Sequence, residues 1–186
     1  VVAIGGGNGL PSLLRGLKHY TSNITAIVTV ADDGGSSGRL RSELGILPPG
    51  DIRNCLVALA DSEAVMQQLM DYRFSTNGQL DGHSFGNILI AALASIGGDF
   101  SKGVEVAGQL MAIRGRVVPS TFSDVTLVGS TVSGQRLIGE SRVGSSSERL
   151  SSLVLMPPDP PAHPDAVKAI QEADLIILGP GSLFTS

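Results

Sequence analysis

The chain has 186 residues, 42% of them hydrophobic and only 16% charged, which describes one well-cored α/β unit and excludes a disordered or fibrous chain. A formal net charge of −4 argues against a nonspecific nucleic-acid partner or an anionic membrane surface, and aromatic residues at 4% with no Trp offer no base-stacking platform. The single cysteine, Cys55, excludes an internal disulfide and a multi-cysteine metal site, and no spanning apolar run or signal peptide is visible, so no membrane insertion is expected and the cytoplasm is the default compartment.

Val1 to Ile4 reads as an apolar β-strand running into Gly5-Gly6-Gly7-Asn8-Gly9, after which Leu10-Pro11-Ser12-Leu13-Leu14 opens a helix. Glycines let the backbone come close to a ligand, and a helix N-terminus presents unpaired N–H groups with the positive end of its dipole. Gly6, Gly7, Asn8 and Gly9 are therefore candidate phosphate contacts. The loop lacks the third glycine of the dinucleotide fingerprint and the Gly-Lys-Ser/Thr of a P-loop, and strand–glycine–helix turns also occur for purely structural reasons. The continuous β-branched run Ile24 to Val30 predicts a parallel strand buried on both faces, completing a βαβ unit over residues 1–30.

The second strand ends in Ala31-Asp32-Asp33-Gly34-Gly35-Ser36-Ser37-Gly38-Arg39. Asp32 and Asp33 have three readings: an acid for ribose hydroxyls, oxygen ligands for Mg²⁺ with Ser36, Ser37 and the loop N–H groups meeting phosphate, or caps for a helix starting near Ser37. Arg39 adds positive charge for a phosphate; for Arg41 a solvated helix face is an equal alternative. Pro48-Pro49-Gly50-Asp51 turns into a helix with Asp51 at the expected N-cap, on the same edge as the paired acids, and Arg53 and Asn54 could reach a ligand from its first turn.

Helices are expected at about 51–61, 62–73, 84–96, 101–113 and 164–172. Ser84 can cap the apolar helix after Gly82-His83-Ser84-Phe85-Gly86-Asn87, where His83, Ser84 and Asn87 form a candidate second anion or ribose site, the alternative for His83 being an ordinary loop residue. His19 and His163 read as surface residues, and Cys55 as core. Val125–Val128 and Gln135–Ile138 predict a hairpin around 125–138, Ser152–Met156 another strand, and the rest of 140–163 a surface connector. Asp174–Leu178 closes the chain as a core strand, ending in Gly179-Pro180-Gly181-Ser182, where Gly181 and Ser182 are candidate nucleotide contacts. The predicted fold is a Rossmann-like, doubly wound, mostly parallel α/β sheet forming one domain over 1–186, with both ends reading as cut from a longer protein. No nucleophile elbow, cysteine–histidine pair or zinc spacing is present.

Taken together, the motifs at 4–11, 28–41, 48–54, 82–87 and 179–186 closely resemble the bacterial gluconeogenesis factors, the YvcK-like branch of the CofD-like (2-phospho-L-lactate transferase) superfamily. The resemblance covers nearly the whole chain. It implies a Rossmann-like cytoplasmic regulatory protein that binds a uridine nucleotide sugar, UDP-N-acetylglucosamine, self-associates, and supports cell shape and wall synthesis on gluconeogenic carbon. The transferase relatives join a lactyl phosphate to a deazaflavin precursor with a guanosine-type donor and Mg²⁺, and acids matching Asp33 and Asp51 serve their metal; Asp32 stands beside them as a further candidate. Gly34-Gly35-Ser36-Ser37-Gly38, Asp51-Ile52-Arg53-Asn54 and Gly181-Ser182-Leu183 depart from the transferase pattern, so the expectation is a binding protein, with a Mg²⁺-dependent transferase as the alternative and an NAD-dependent oxidoreductase as a weaker third.

Overall fold

The computed structural model describes residues 1–61 and 63–186. In chain order the elements are β1 (Val2–Gly5), α1 (Gly9–Leu17), β2 (Thr25–Val28), α2 (Gly35–Leu44), α3 (Gly50–Leu59), α4 (Glu63–Asp71), α5 (Phe85–Gly97), α6 (Phe100–Leu110), β3 (Arg116–Pro119), β4 (Thr126–Thr131), β5 (Arg136–Ile138), α7 (Glu140–Gly144), β6 (Leu150–Met156), α8 (Pro164–Gln171) and β7 (Ile176–Leu178). The start of the helix expected at 62–73 falls on Ser62, which lies outside the described residues.

β3, β2, β1 and β7 form a four-stranded sheet in that order, and every neighbouring pair is parallel. Because side chains alternate across a strand, each strand feeds two cores. Ala3, Ala26, Val28 and Val117 face the large core that also takes Leu10 and Leu14 of α1, Ile52 and Leu56 of α3, and Val104 of α6. Val2, Ile27 and Val118 face the opposite side, where α8 covers them with Ala166 and Ala169. Helices thus lie on both faces of a parallel sheet, as the β-branched runs predict. Leu10 and Leu14 are fully buried one helical turn apart, and each contributes on the order of 1.5–3 kcal/mol to holding α1 on the sheet.

The hairpin expected around 125–138 is present as β4 and β5, but it belongs to a separate antiparallel sheet of order β5-β4-β6. Its inner face, Leu127 and Leu137, packs on Val143 of α7 as a small third core. Arg41 ties this sheet to the main unit, donating from Nη2 to the Val125 carbonyl at 2.7 Å and to Thr126 Oγ1 at 3.3 Å, and pairing with Asp124. So Arg41 is half of an inter-sheet strap, with a side chain only 12% exposed, and not a solvated helix face.

Five further expectations change. β7, expected as a core strand, is instead one edge of the sheet, with Ile176 and Leu178 exposed. Arg116-Val117-Val118-Pro119 is a strand that the sequence reading passes over; it is the sheet's other edge, the position at which a proline, lacking an N–H for a further neighbour, is tolerated. Segment 140–149, read as connector, contains the short helix α7. Asp51 is not an N-cap: α3 starts at Gly50, with Pro49 in the cap position, so Asp51 is in the first turn. His163 is buried, 4% exposed, and its Nδ1 accepts the Asp165 N–H at 3.1 Å as the cap of α8. Since Nδ1 accepts, the ring proton sits on Nε2 and is donated to Ser101 Oγ at 2.9 Å, which rules this pair out as a base activating a serine. No helix among the described residues is long and apolar enough to cross a membrane.

Candidate functional site

Parallel strands carry their following loops at one edge, which is where ligands bind in open α/β sheets. Here the loops after β1, β2 and β7 meet at the carboxyl edge, and small residues allow it. A side chain on Gly9 would put its Cβ 1.6 Å from the Pro180 carbonyl oxygen, so only glycine lets the β7 loop lie on the N-terminus of α1. Gly6 is similarly closed in: a Cβ there would sit 2.1 Å from Thr29 Oγ1 and 3.0 Å from Asp51 Oδ2. The Gly179 N–H donates to the Ile4 carbonyl at 2.7 Å, carrying the β1–β7 ladder into the loop. In the terminal loop, the Ser182 N–H donates to Ser186 Oγ at 3.1 Å, and the Ser182 carbonyl accepts from the Ser186 N–H at the same distance. Gly181 and Ser182 are exposed beside Gly6–Gly9, as is Asn8, whose side chain makes no cap bond to α1.

Asp51 rises from the first turn of α3 beneath the glycine loop and accepts the Gly7 N–H on Oδ2 at 2.7 Å. Burial pushes its carboxyl above the ordinary value; the Gly7 bond and Arg53 oppose the rise, and the charge of Asp32 adds to it. Among the described residues, the carboxylates within mutual ligating reach are Asp32, Asp33 and Glu140, with one oxygen of each within 4.8 Å of the others. Asp51 stands outside this trio, although its charge bears on both Asp32 and Glu140. Asp32 Oδ1 accepts the Gly34 N–H at 2.9 Å, and Asp33 Oδ1 accepts both the N–H and the hydroxyl of Ser141, at 2.9 and 2.7 Å. These bonds bring the first turn of α7, and with it Glu140, to the paired acids. Glu140 is the site residue that sequence reasoning missed, since nothing local in 139–144 reveals a tertiary partner 108 residues away. Its carboxyl is held above the ordinary range by burial first, and by Asp32, Asp33 and Asp51, against a hydrogen bond with Thr185. Three hard oxygen donors suit Mg²⁺ rather than a soft metal.

The remaining sequence candidates form a different structure. Ser36 and Ser37, in the first turn of α2, are buried against His83, Ser84 and Asn87 at the start of α5. Ser36 Oγ accepts from the Ser84 N–H at 3.4 Å and from Asn87 Nδ2 at 3.2 Å, and lies 3.1 Å from His83 Nδ1. With both lone pairs taken, the serine proton goes to Nδ1, so His83 is an acceptor there. Burial, then the charge of Arg39, lowers its pKa and keeps the ring neutral. Ser84 caps α5 as expected, accepting the Asn87 N–H at 3.3 Å. Arg53 closes the network: Nη1 donates to Ser84 Oγ at 2.7 Å, Nη2 to Asn54 Oδ1 at 2.8 Å, and the guanidinium pairs with Asp71 at 3.2 Å. No buried side-chain polar atom among the described residues lacks a partner.

The network lies directly behind the open edge. A Cβ on Gly50 would sit 2.4 Å from Ser37 Oγ and 3.2 Å from Asp32 Oδ2, so the acids and the buried hydroxyls back onto the same turn of α3. Arg39 points elsewhere, donating to the Asp81 carbonyl at 2.6 Å. The arrangement therefore has two parts: an exposed rim of glycine loops and carboxylates, and a buried polar cluster that fixes α2, α3 and α5 relative to one another.

The chain is similar to known proteins over its whole length. The family described as 2-phospho-L-lactate transferase CofD matches residues 1–186. A putative gluconeogenesis factor of Nostoc sp. is 55% identical over 186 residues, covering the whole of this chain and 41% of that protein. The gluconeogenesis factor of Bacillus subtilis is 48% identical, covering the whole chain and 59% of that protein. A crystal structure of a Bacillus halodurans protein superimposes with a TM-score of 0.93 at 47% identity, over all of this chain and 60% of that one. The chain thus spans between two-fifths and three-fifths of the length of these relatives. With its sequence matched from end to end and its parallel-sheet architecture shared, the chain belongs to the CofD family, on the branch of the gluconeogenesis factors.

Proposed function

We propose that this chain forms the nucleotide-binding part of a cytoplasmic regulatory protein needed for growth on gluconeogenic carbon, which binds a uridine nucleotide sugar such as UDP-N-acetylglucosamine and through it serves cell shape and wall synthesis. The observation that carries this reading is the convergence of the glycine loop, the β7 loop and the acids on one sheet edge, with Asp51 bonded to Gly7 at 2.7 Å. The relatives' names support the gluconeogenic role. On this reading the loop N–H groups of Gly6, Asn8 and Gly9 and the Gly181-Ser182 turn receive the phosphates, the Gly7 N–H being held by Asp51, and Asp33, with Asp32 and Glu140, takes Mg²⁺ when it accompanies the diphosphate. Mg²⁺ would supply charge neutralisation there.

The closeness of the three carboxylates favours a second reading, a Mg²⁺-dependent transferase of the 2-phospho-L-lactate transferase type using a nucleotide-activated donor. Calorimetric titration of the full-length protein with UDP-N-acetylglucosamine, GDP and NAD, each with and without Mg²⁺, separates the two. Selective binding of the UDP-sugar without product formation supports the regulatory reading. Mg²⁺-dependent GDP binding with turnover moves the assignment to a transferase, and binding of NAD alone overturns both.

A further inference from the structure

Between the two sheets, at the carboxyl ends of β2 and β3, lies a slot of about 310 Å³ that the phosphate and metal assignments leave unused. It is lined by Thr29-Val30-Ala31, by the apolar Val125, Leu127, Leu155 and Phe184, and by the hydroxyl-bearing Ser120 and Thr121, the Thr121 proton being donated to the Pro161 carbonyl at 2.6 Å. We infer that this slot seats the planar base of the bound nucleotide, an assignment that rests on the nucleotide reading above.

The chemistry fits a heteroaromatic ring. A base has two apolar faces and a polar edge, and it is held best by apolar walls with a few hydrogen-bonding groups at one side. The lining is mostly apolar, and the volume is at the lower end of the range of about 300–1,000 Å³ typical of small-molecule clefts. The position fits as well. Ala31 in the lining is followed directly by Asp32, on the edge where an acid meets ribose hydroxyls, and Ser186 at the other end of the slot lies 3.7 Å from the Cβ position of Gly7. Base, ribose and phosphates would follow one another from slot to acid to glycine loop. The larger cavity of about 620 Å³ at the outer edge of β3 lacks this relation, being lined by charges of both signs such as Asp99, Lys102, Glu105 and Arg116, far along the strand from the glycine loop.

The slot also depends on the second sheet. Val125, Leu127 and Leu155 come from β4, its approach and β6, and Asp33–Ser141 and Arg41–Val125 hold that sheet against the main one. The antiparallel insertion is on this account the base-recognition wall of the site.

The test titrates full-length protein with UDP and, separately, with inorganic pyrophosphate, in the wild type and in two variants. Leu155→Trp enters the slot from a position already 37% exposed, and Phe184→Ala removes one wall from a residue that is 50% exposed, so neither disturbs a closed core. UDP affinity should fall about tenfold or more in Leu155→Trp and several-fold in Phe184→Ala, with pyrophosphate affinity held within about twofold. Unchanged UDP affinity in both variants overturns the base assignment and leaves the nucleotide reading standing. Equal loss of both ligands also overturns it, because a slot that seats only the base cannot act on pyrophosphate. A wild-type protein that binds pyrophosphate but no nucleotide overturns both.

Discussion

Two glycines of α1 give a sharp test of how the site is assembled, because the same substitution should have opposite signs about two turns apart. At Gly16 an added Cβ meets nothing within 4 Å, and the residue is exposed in the last turn of the helix, so Gly16→Ala gains helix propensity and should stabilise the protein by up to about 0.5–1 kcal/mol. At Gly9 the same methyl would lie 1.6 Å from the Pro180 oxygen and 2.5 Å from its carbonyl carbon. An ordinary contact is about 3.4 Å or more, so the β7 loop must retreat by close to 2 Å, and overpacking of that kind costs about 1–3 kcal/mol, more than the propensity gain returns. For a folding unit of 150–250 residues each kcal/mol corresponds to about 2–4 °C in Tm. Thermal unfolding of the full-length protein should therefore place Gly16→Ala a few degrees above wild type and Gly9→Ala below it, with nucleotide affinity lost only at Gly9. If Gly9→Ala kept both wild-type Tm and wild-type affinity, the packing of the two loops would not be what shapes the site.

Asp33→Ala removes two partly solvated bonds to Ser141, a loss under about 2 kcal/mol, so the fold should survive while the Mg²⁺ dependence of nucleotide binding disappears; an intact Mg²⁺ response in calorimetry counts against the metal assignment. For Asp51, whose folded pKa is raised, the protonated form is preferred in the native state, so wild-type stability relative to Asp51→Asn should decline as pH rises from 3.8 through the raised value and then level off. Urea midpoints of the two proteins at a constant offset from pH 3 to 7 would contradict the cause given for the shift. Cys55 is fully buried and its thiol is pushed far up by burial, then by Asp51, so a thiol reagent should label it only as fast as the protein opens; rapid labelling of native protein is the refuting result.

The main sheet was legible because its strands announce themselves. Val2–Ile4 is an apolar run and Ile24–Val30 a run of apolar residues and threonines, both of which fit burial on two faces, and Ser84 before an apolar helix is a local cap signal. The glycine loop and the acids could be assigned to a common edge for the same reason, since parallel strands leave their loops on one side. Arg116–Pro119 was not legible: four residues ending in proline resemble a turn until β2 pairs with them. His163 looked like a surface residue because its neighbours are prolines and acids, yet Phe122, packed 4.1 Å from its ring, and Ser101 bury it from elsewhere in the chain.

By itself the sequence determined the alternation of strands and helices, the small residues that open the carboxyl edge, and the family, all of which are written in local spacing and short motifs. Tertiary structure alone decided which polar residues share a surface. It drew Ser36, His83, Ser84, Asn87 and Arg53 into a closed hydrogen-bonded cluster, because a buried polar group takes whatever partner the packing offers. It also carried Glu140 to Asp32 and Asp33, because two bonds from Ser141 to Asp33 fix α7 against the β2 loop. Contacts across 108 residues depend on how two sheets dock, and no periodicity along the chain records that.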